Sequence, residues 1–316
     1  MPTPIIIDTD PGIDDALAIM LAAESPEVQI LAITAVAGNT GLDYTAPNSA
    51  KLADLLALDC PVGTGATAPL WRRDTAPAQD VHGIDGFGGY QLPDSTRELV
   101  PAIELMRDLV ESHPNPVTIV AIGPLTNVAL FMASYPETAR KLARVVLMGG
   151  GMGIDLGNTT AAAEFNIYYD PDAAAKVFAF GVPITMVGLN ATHQATVGRA
   201  HLVELLQSGG PAAQMVDAML SFYGEGNLSG NDIDDAVAQH DSLAVAAVID
   251  PSLVRTENWY VDVENVGRLT AGMTVVDNRG RSGLAPNADV AVDVDLPGFR
   301  SLLGQRLANL DRRLVS

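Results

Sequence analysis

Four aspartates fall within eight residues near the start of the chain, in Asp8-Thr9-Asp10-Pro11-Gly12-Ile13-Asp14-Asp15. Carboxylates crowded in this way repel one another, and burying them unpaired is costly. A hard, oxygen-seeking cation is the simplest partner that would hold them together. The spacing is not that of an EF-hand. Counted from Asp8, such a loop needs Asp or Asn at its fifth position, Gly at its sixth and Glu at its twelfth, and this chain has Gly12, Ile13 and Ile19 there. A plainer reading is that Asp14 and Asp15 only favour a helix N-terminus, where negative charge is stabilised. That covers one or two aspartates and leaves the others unexplained.

Three further groups could do chemistry. Glu164 and Asn166 lie two apart, so in an extended segment they share a face. A carboxylate and an amide side by side suit vicinal hydroxyls, although an exposed polar strand face would look the same. His240-Asp241 falls at a predicted helix start and offers a metal carboxylate beside a general acid, since histidine titrates near neutrality. His82 sits in a glycine-rich stretch, His82-Gly83-Ile84-Asp85-Gly86, that suggests a mobile lid. The Gly149-Gly150-Gly151 run lacks the Lys-Ser/Thr of a phosphate-binding loop and reads instead as a place of close backbone approach.

These residues need a frame. Apolar runs of strand length alternate with helix-period segments. Strands are expected near Pro4 to Asp8, Val28 to Ala37, Val62 to Gly65, Val117 to Ile122, Val145 to Met148 and Val182 to Gly188. Ile13, Ala16, Leu17, Met20 and Leu21 form a helical stripe, and helices are also expected over Ala46 to Leu58, after Gly123-Pro124, from Asp170-Pro171 to Gly181, over Arg199 to Gln207 and Pro211 to Phe222, and from Asp241. Ala66 to Thr96 reads as a long loop, and Gly224 to Ile233 as a mobile one. The alternation predicts a single α/β domain over residues 1–316. It would be an open, mostly parallel, Rossmann-like twisted sheet with helices on both faces and extra C-terminal strands and helices. Ligands of such sheets bind beyond the carboxyl ends of the strands, where Asp8, Asp10, Asn39, Thr126 and the Gly149 run all gather.

Bulk composition narrows the partners. The chain has 316 residues, 38 acidic against 18 basic, for a formal charge of -20. A basic face for nucleic acid or anionic membrane is therefore not expected. Cys60 is the single cysteine, so no intrachain disulfide can form, and a reducing compartment is consistent with that. Neither a signal peptide nor a membrane span is legible, and a soluble cytoplasmic protein is the expectation.

Taken together, the motifs resemble the inosine-uridine-preferring nucleoside hydrolase family. The opening Asp8 to Asp15 run carries the resemblance. It continues in order through Gly38-Asn39-Thr40, His82-Gly83, Gly123 to Asn127, Met148 to Met152, Glu164-Phe165-Asn166, His240-Asp241 and Asn287. The resemblance implies a calcium-dependent hydrolase that cleaves the N-glycosidic bond of ribonucleosides. Asp10, Asp15, Asp241 and the backbone carbonyl of Thr126 would hold Ca²⁺, with the attacking water and the ribose diol completing its sphere. Asp10 would be the general base and His240 the acid for the departing base. Asp14, Asn39, Glu164 and Asn166 would grip the ribose, Met152 and Asn158 would lie near the 5′-hydroxyl, and His82 would contact substrate. Asp8 would support the others from behind. The family also implies a homodimer or homotetramer.

The chain departs from the family pattern between Glu225 and Asp235. Relatives often carry an aromatic and a basic residue there, and this segment is acidic and without aromatics. Tyr223 and Trp71 are possible substitutes at the base, whereas Trp259 falls in a predicted strand and reads as core or interface. Two other functions fit parts of the pattern. One is a Mg²⁺-dependent phosphatase with Asp8 as nucleophile, for which no suitably placed downstream lysine is evident. The other is a non-catalytic nucleoside- or sugar-binding protein, which the intact acid, amide and histidine set argues against.

Overall fold

The computed structural model describes residues 1–71, 82–227 and 236–316, with residues 223–227 described by their backbone alone. Parts of the long loop and of the segment expected to be mobile, with Tyr223's side chain and the Glu225 to Asp235 side chains, lie outside the described residues.

Twelve strands are present among the described residues: β1 (Thr3–Thr9), β2 (Val28–Ala35), β3 (Val62–Thr64), β4 (Leu99–Pro101), β5 (Thr118–Ala121), β6 (Arg144–Met148), β7 (Ile184–Val187), β8 (Thr196–Val197), β9 (Val237–Ala238), β10 (Val254–Glu264), β11 (Met273–Asp277) and β12 (Ala288–Val294). Ten of them build one sheet in the order β11-β10-β12-β7-β6-β5-β1-β2-β3-β4, and β8 and β9 pair separately. From β4 to β12 every pairing is parallel, and only β10 runs antiparallel to its neighbours β12 and β11. This is the expected α/β domain with an open, mostly parallel sheet. Central strands read as unbroken apolar runs because helices cover both faces, as in Ile5 to Ile7, which are buried.

The path of the chain decides where a ligand can sit. From β1 it moves to β2, β3 and β4 on one side, then returns to place β5, β6 and β7 on the other. The strand order therefore reverses at β1 and β5, and the crevice beyond their carboxyl ends is the binding position of such a fold. Asp8 pairs with Ala121 of β5 and Thr34 of β2 at that edge.

One face of the sheet is covered by the helices Ile13–Ala23, His240–Ile249 and Leu296–Leu314, the other by Ala102–Ser112, Thr126–Ser134 and Pro171–Phe178. Helix His240–Ile249 is buried along almost its whole length and packs against helix Ile13–Ala23. That packing joins two first turns more than two hundred residues apart in sequence.

Several boundaries differ from the sequence reading. Helix Leu42–Leu55 begins four residues before the expected Ala46, with Pro47 inside it. Strand β4 and helix Ala102–Ser112 lie in a stretch for which no element was expected. Glu164 and Asn166 do not share a strand face: Glu164 caps the short helix Phe165–Tyr169, and Asn166 lies within its first turn. Among the described residues, no helix is long and apolar enough to cross a membrane.

Candidate active site

The Asp8 to Asp15 turn is buried throughout, with Asp8, Asp10 and Asp15 at 0% exposure and Asp14 at 8%. A solvated acidic face is thereby excluded. Each carboxylate has its own anchorage. Asp15 ties the turn together: its Oδ1 accepts the Thr9 hydroxyl, and its Oδ2 accepts Gly12 N–H at 2.9 Å and Asn39 Nδ2 at 3.1 Å. Asp10 Oδ2 accepts Asn39 N–H at 2.7 Å, while Asp10 Oδ1 is buried with no hydrogen-bond partner. Asp8 Oδ1 accepts Thr34 Oγ1 at 2.6 Å and Asn127 Nδ2 at 2.8 Å. Asp8 Oδ2, like Asp10 Oδ1, is buried with no hydrogen-bond partner, so Asp8 is held through one oxygen only.

Gly12 is required by this crowding. A Cβ there would stand 2.5 Å from His82 Nδ1 and 2.8 Å from Asn39 Nδ2. His82 closes the turn from its own loop. Its Nδ1 accepts Ile13 N–H at 3.1 Å, which leaves the neutral ring's proton on Nε2, and it lies 3.9 Å from Asp14 Oδ1.

Asp241, in the first turn of its helix, completes the cluster. One carboxylate oxygen from each of Asp14, Asp15 and Asp241 lies within 4.8 Å of the others, and all three residues are buried. Two helix first turns thus converge on the same point, where their N-terminal dipoles favour negative charge. Asp10 is close enough for its charge to act on Asp241, and the charges of Asp15 and Asp14 act on it in turn.

The electrostatics are those of a site short of positive charge. Burial, then the charges of Asp15 and Asp14, push the Asp10 carboxyl well above its ordinary range. Asp241 is pushed well above for the same reasons, burial first and then Asp14, Asp15, Asp10 and Glu164. Asp14 and Asp15 rise to about 6, chiefly through burial. Glu164 rises to about 7 through burial, against the hydrogen bonds it accepts. Among the described residues, no lysine or arginine is a cause of these shifts. The donor set is entirely oxygen, and the buried Asp10 Oδ1 lacks a hydrogen-bond partner. A hard divalent cation fits such a set.

Glu164 and Asn166 are placed by main-chain bonds. Glu164 Oε1 accepts Asn166 N–H at 2.9 Å, and Oε2 accepts Gly150 N–H at 2.9 Å and Ile167 N–H at 3.2 Å. The Gly149 run therefore serves close backbone approach, as its composition suggested. Asn166 Nδ2 donates to the carbonyls of Ile122 and Met148, at the carboxyl ends of β5 and β6. Asn158 is exposed and accepts Phe165 N–H at 3.0 Å, bracing the loop before Glu164. Met152 is half-buried in a tight turn against Asp155. Thr126 opens its helix, and its hydroxyl donates to Asp170 Oδ2 at 2.8 Å.

His240 lies beside the cluster, with Nδ1 2.7 Å from Thr192 Oγ1 and its ring edge-on to His193 at 5.9 Å. Its pKa is not near neutrality as its residue type suggested. Burial, and then His193 and His82, bring it down to about 3, so the imidazole is neutral at physiological pH.

Asn127 and Asp170, which sequence reasoning did not place at the site, brace the segments around it. Asn127 donates to Asp8 Oδ1 and Ala35 O and accepts Ala66 N–H, tying three strand ends together. Asp170, expected only as a helix cap, also accepts Leu70 N–H and the Thr126 hydroxyl. The Gly123 to Asn127 run and the Asp170-Pro171 helix start were legible, but their hydrogen bonds to distant segments are not displayed by one sequence. Trp259 lies in β10 packed against the core, and Trp71 is 83% exposed.

An α/β fold with a buried carboxylate cluster at its topological switch point is the frame of a hydrolytic enzyme able to hold a metal. The chain belongs to the inosine-uridine preferring nucleoside hydrolase family, whose model it matches over residues 5–301, and it is a nucleoside hydrolase. It is 44% identical to the pyrimidine-specific ribonucleoside hydrolase RihA of Citrobacter koseri, over 98% of this chain and 99% of that one. The RihA of an Enterobacter species is also 44% identical, over 99% of this chain and all of its own length. Among solved structures, the plant nucleoside hydrolase PpNRh1 superposes with a TM-score of 0.91 at 34% identity, over 98% of this chain and 99% of that one. A purine-preferring ribonucleoside hydrolase from Gardnerella vaginalis also gives 0.91, at 31% identity, over 98% of this chain and all of its own.

Proposed function

We propose that this enzyme is a calcium-dependent hydrolase of pyrimidine ribonucleosides that releases ribose and the free base. The observation that carries the reading is the buried group of Asp14, Asp15 and Asp241, with oxygens within 4.8 Å of one another, beside an Asp10 Oδ1 that has no partner. Asp10, Asp15, Asp241 and the Thr126 carbonyl would hold the ion, with Asp14 near enough to share in it. When bound, calcium would supply Lewis-acid polarisation of an oxygen and a template for a vicinal diol.

The chain's own residues account for the rest. Asp10, whose burial makes it avid for a proton, takes one from water as the water oxygen bonds to C1′ and the C1′–N bond breaks. Asp14, Asn39, Glu164 and Asn166 hold the ribose, with His82 at its edge and Met152 and Asn158 towards the 5′-hydroxyl. The negative charge of Asp14 and Glu164 favours the oxocarbenium-like transition state. The base departs with the bonding electron pair and needs a proton. Neutral His240, its Nδ1 at Thr192, offers Nε2–H to it, and the proton that Asp10 took from water restores the imidazole through solvent, so the step is balanced.

The pyrimidine preference is supported by the RihA relatives at 44% identity, above the 31% shared with the purine-preferring enzyme. The same reading makes this a cytoplasmic enzyme of nucleoside salvage or catabolism, acting as a homodimer or homotetramer. Free ribose released from uridine, cytidine, inosine, adenosine and guanosine tests it. The highest kcat/KM on uridine or cytidine supports the proposal, and a preference for purine nucleosides would overturn the base assignment.

A further inference from the structure

His193 and Asp155 form a pair to which no role has so far been given. His193 Nδ1 lies 3.0 Å from Asp155 Oδ1, and the side chains are 41% and 34% exposed. A contact this open to solvent adds little to stability. Its position is more informative, because each partner belongs to a separately anchored part of the site.

Asp155 ends a tight turn from Met152, in the loop whose Gly150 N–H binds Glu164 Oε2 and whose Gly151 is bonded to Thr274 Oγ1. The turn is closely folded: a Cβ on Gly151 would stand 1.9 Å from Asp155 O. His193 follows Thr192, whose hydroxyl holds His240 Nδ1. The chain then enters β8, which pairs with β9 immediately before His240, and Gln239 N–H donates to Ala195 O at 2.9 Å. Residues 192–197 therefore grip His240 from both sides, and the His193 ring stands edge-on to it at 5.9 Å.

We propose that Asp155 and His193 are positioning residues that fix His240 by tying its clamp to the Gly150–Asn158 loop. The pair touches no reacting atom. Asp155 accepts from His193, His193 sets the outer wall of the His240 ring, and Thr192 sets its Nδ1 end. The proposal rests on the reading of His240 as proton donor to the leaving base. It predicts a defect confined to substrates whose base needs that proton.

The test compares a ribonucleoside with 4-nitrophenyl β-D-ribofuranoside, whose phenolate leaves without protonation. Asp155→Ala and His193→Ala are expected to lower kcat on the ribonucleoside about tenfold, part of the ~10²–10⁴-fold that a general acid supplies. Their rates on the nitrophenyl riboside should stay near wild type. Asp155→Asn, which keeps an acceptor for His193, should recover most of the loss, and neither alanine change should further slow a His240→Ala enzyme. Equal losses on both substrates, or no loss on either, would overturn the proposal. Failure of the underlying reading is visible separately: His240→Ala would then lose no more on the ribonucleoside than on the nitrophenyl riboside, and both ideas would fall.

Discussion

Stripping divalent cations from this protein should make its stability fall as pH rises past neutrality. Burial lifts the carboxyls of Glu164 and Asp8 to about 7, and Asp10 and Asp241 are pushed well above their ordinary range. A carboxyl that binds its proton more tightly folded than unfolded stabilises the fold at low pH, and that stability is lost as pH rises through the folded pKa. His82 and His240 oppose this trend. Burial lowers them from 6.5 to about 4 and about 3, so their penalty lies below the unfolded value and has faded above it. From about pH 7 to about pH 8 the carboxyls therefore outweigh the fading, opposite contribution of the two histidines. Each proton held only by the folded state costs ~1.4 kcal/mol per pH unit. Across the window Glu164 and Asp8 together hold on average roughly half a proton more than the unfolded chain, giving about 1 kcal/mol, and Asp10 and Asp241 add to it. At about 2–4 °C per kcal/mol, Tm in chelator should drop by several degrees. Calcium at about 1,000 times its Kd should add about 4 kcal/mol and flatten the slope. Thermal melts in chelator and in calcium across this window measure both effects. A Tm in chelator that stays level or rises, or a slope unchanged by calcium, refutes the reasoning.

Other perturbations follow from the same geometry. Asp10→Asn keeps an acceptor for Asn39 N–H but removes the charge, so kcat in a ribose-release assay should fall by at least ~10²-fold while Tm in chelator holds or rises. Gly12→Ala drives a methyl to 2.5 Å from His82 Nδ1, and chemical denaturation should show a loss of about 1–3 kcal/mol. Asp170→Ala strands the N–H groups of Leu70 and Ala173 and the Thr126 hydroxyl. It should cost about 1–3 kcal/mol per group left unsatisfied and weaken calcium binding in a calorimetric titration.

Much of this was legible in the sequence because the fold repeats one simple alternation. Buried strands such as Ile5 to Ile7 announce themselves as apolar runs, and helix Ile13–Ala23 as a regular stripe. Misreadings arose where periodicity had too little length to act. Helix Phe165–Tyr169 is five residues long, and Phe165, Ile167 and Tyr169 alternate as a strand would, so the Glu164 cap was hidden. Strand β4 is three residues long. Helix Ala102–Ser112 did carry a signal in Ala102, Met106 and Val110, its buried stripe, beside the long loop that obscured it. Pro47 masked the true start of helix Leu42–Leu55. The aspartate turn was plain, but the meeting of Asp14 and Asp15 with Asp241 depends on two helices packing across the fold, and the depressed His240 depends on burial. Neither can be counted along a chain.

The central claim is that the carboxylate cluster works by holding calcium against a ribonucleoside. Ribose release from uridine, measured in chelator and again after calcium is restored, tests it most directly. The account predicts that release stops in chelator and returns with calcium, and that Asp10→Asn stays inactive in both. Undiminished release from a fully chelated enzyme would contradict it.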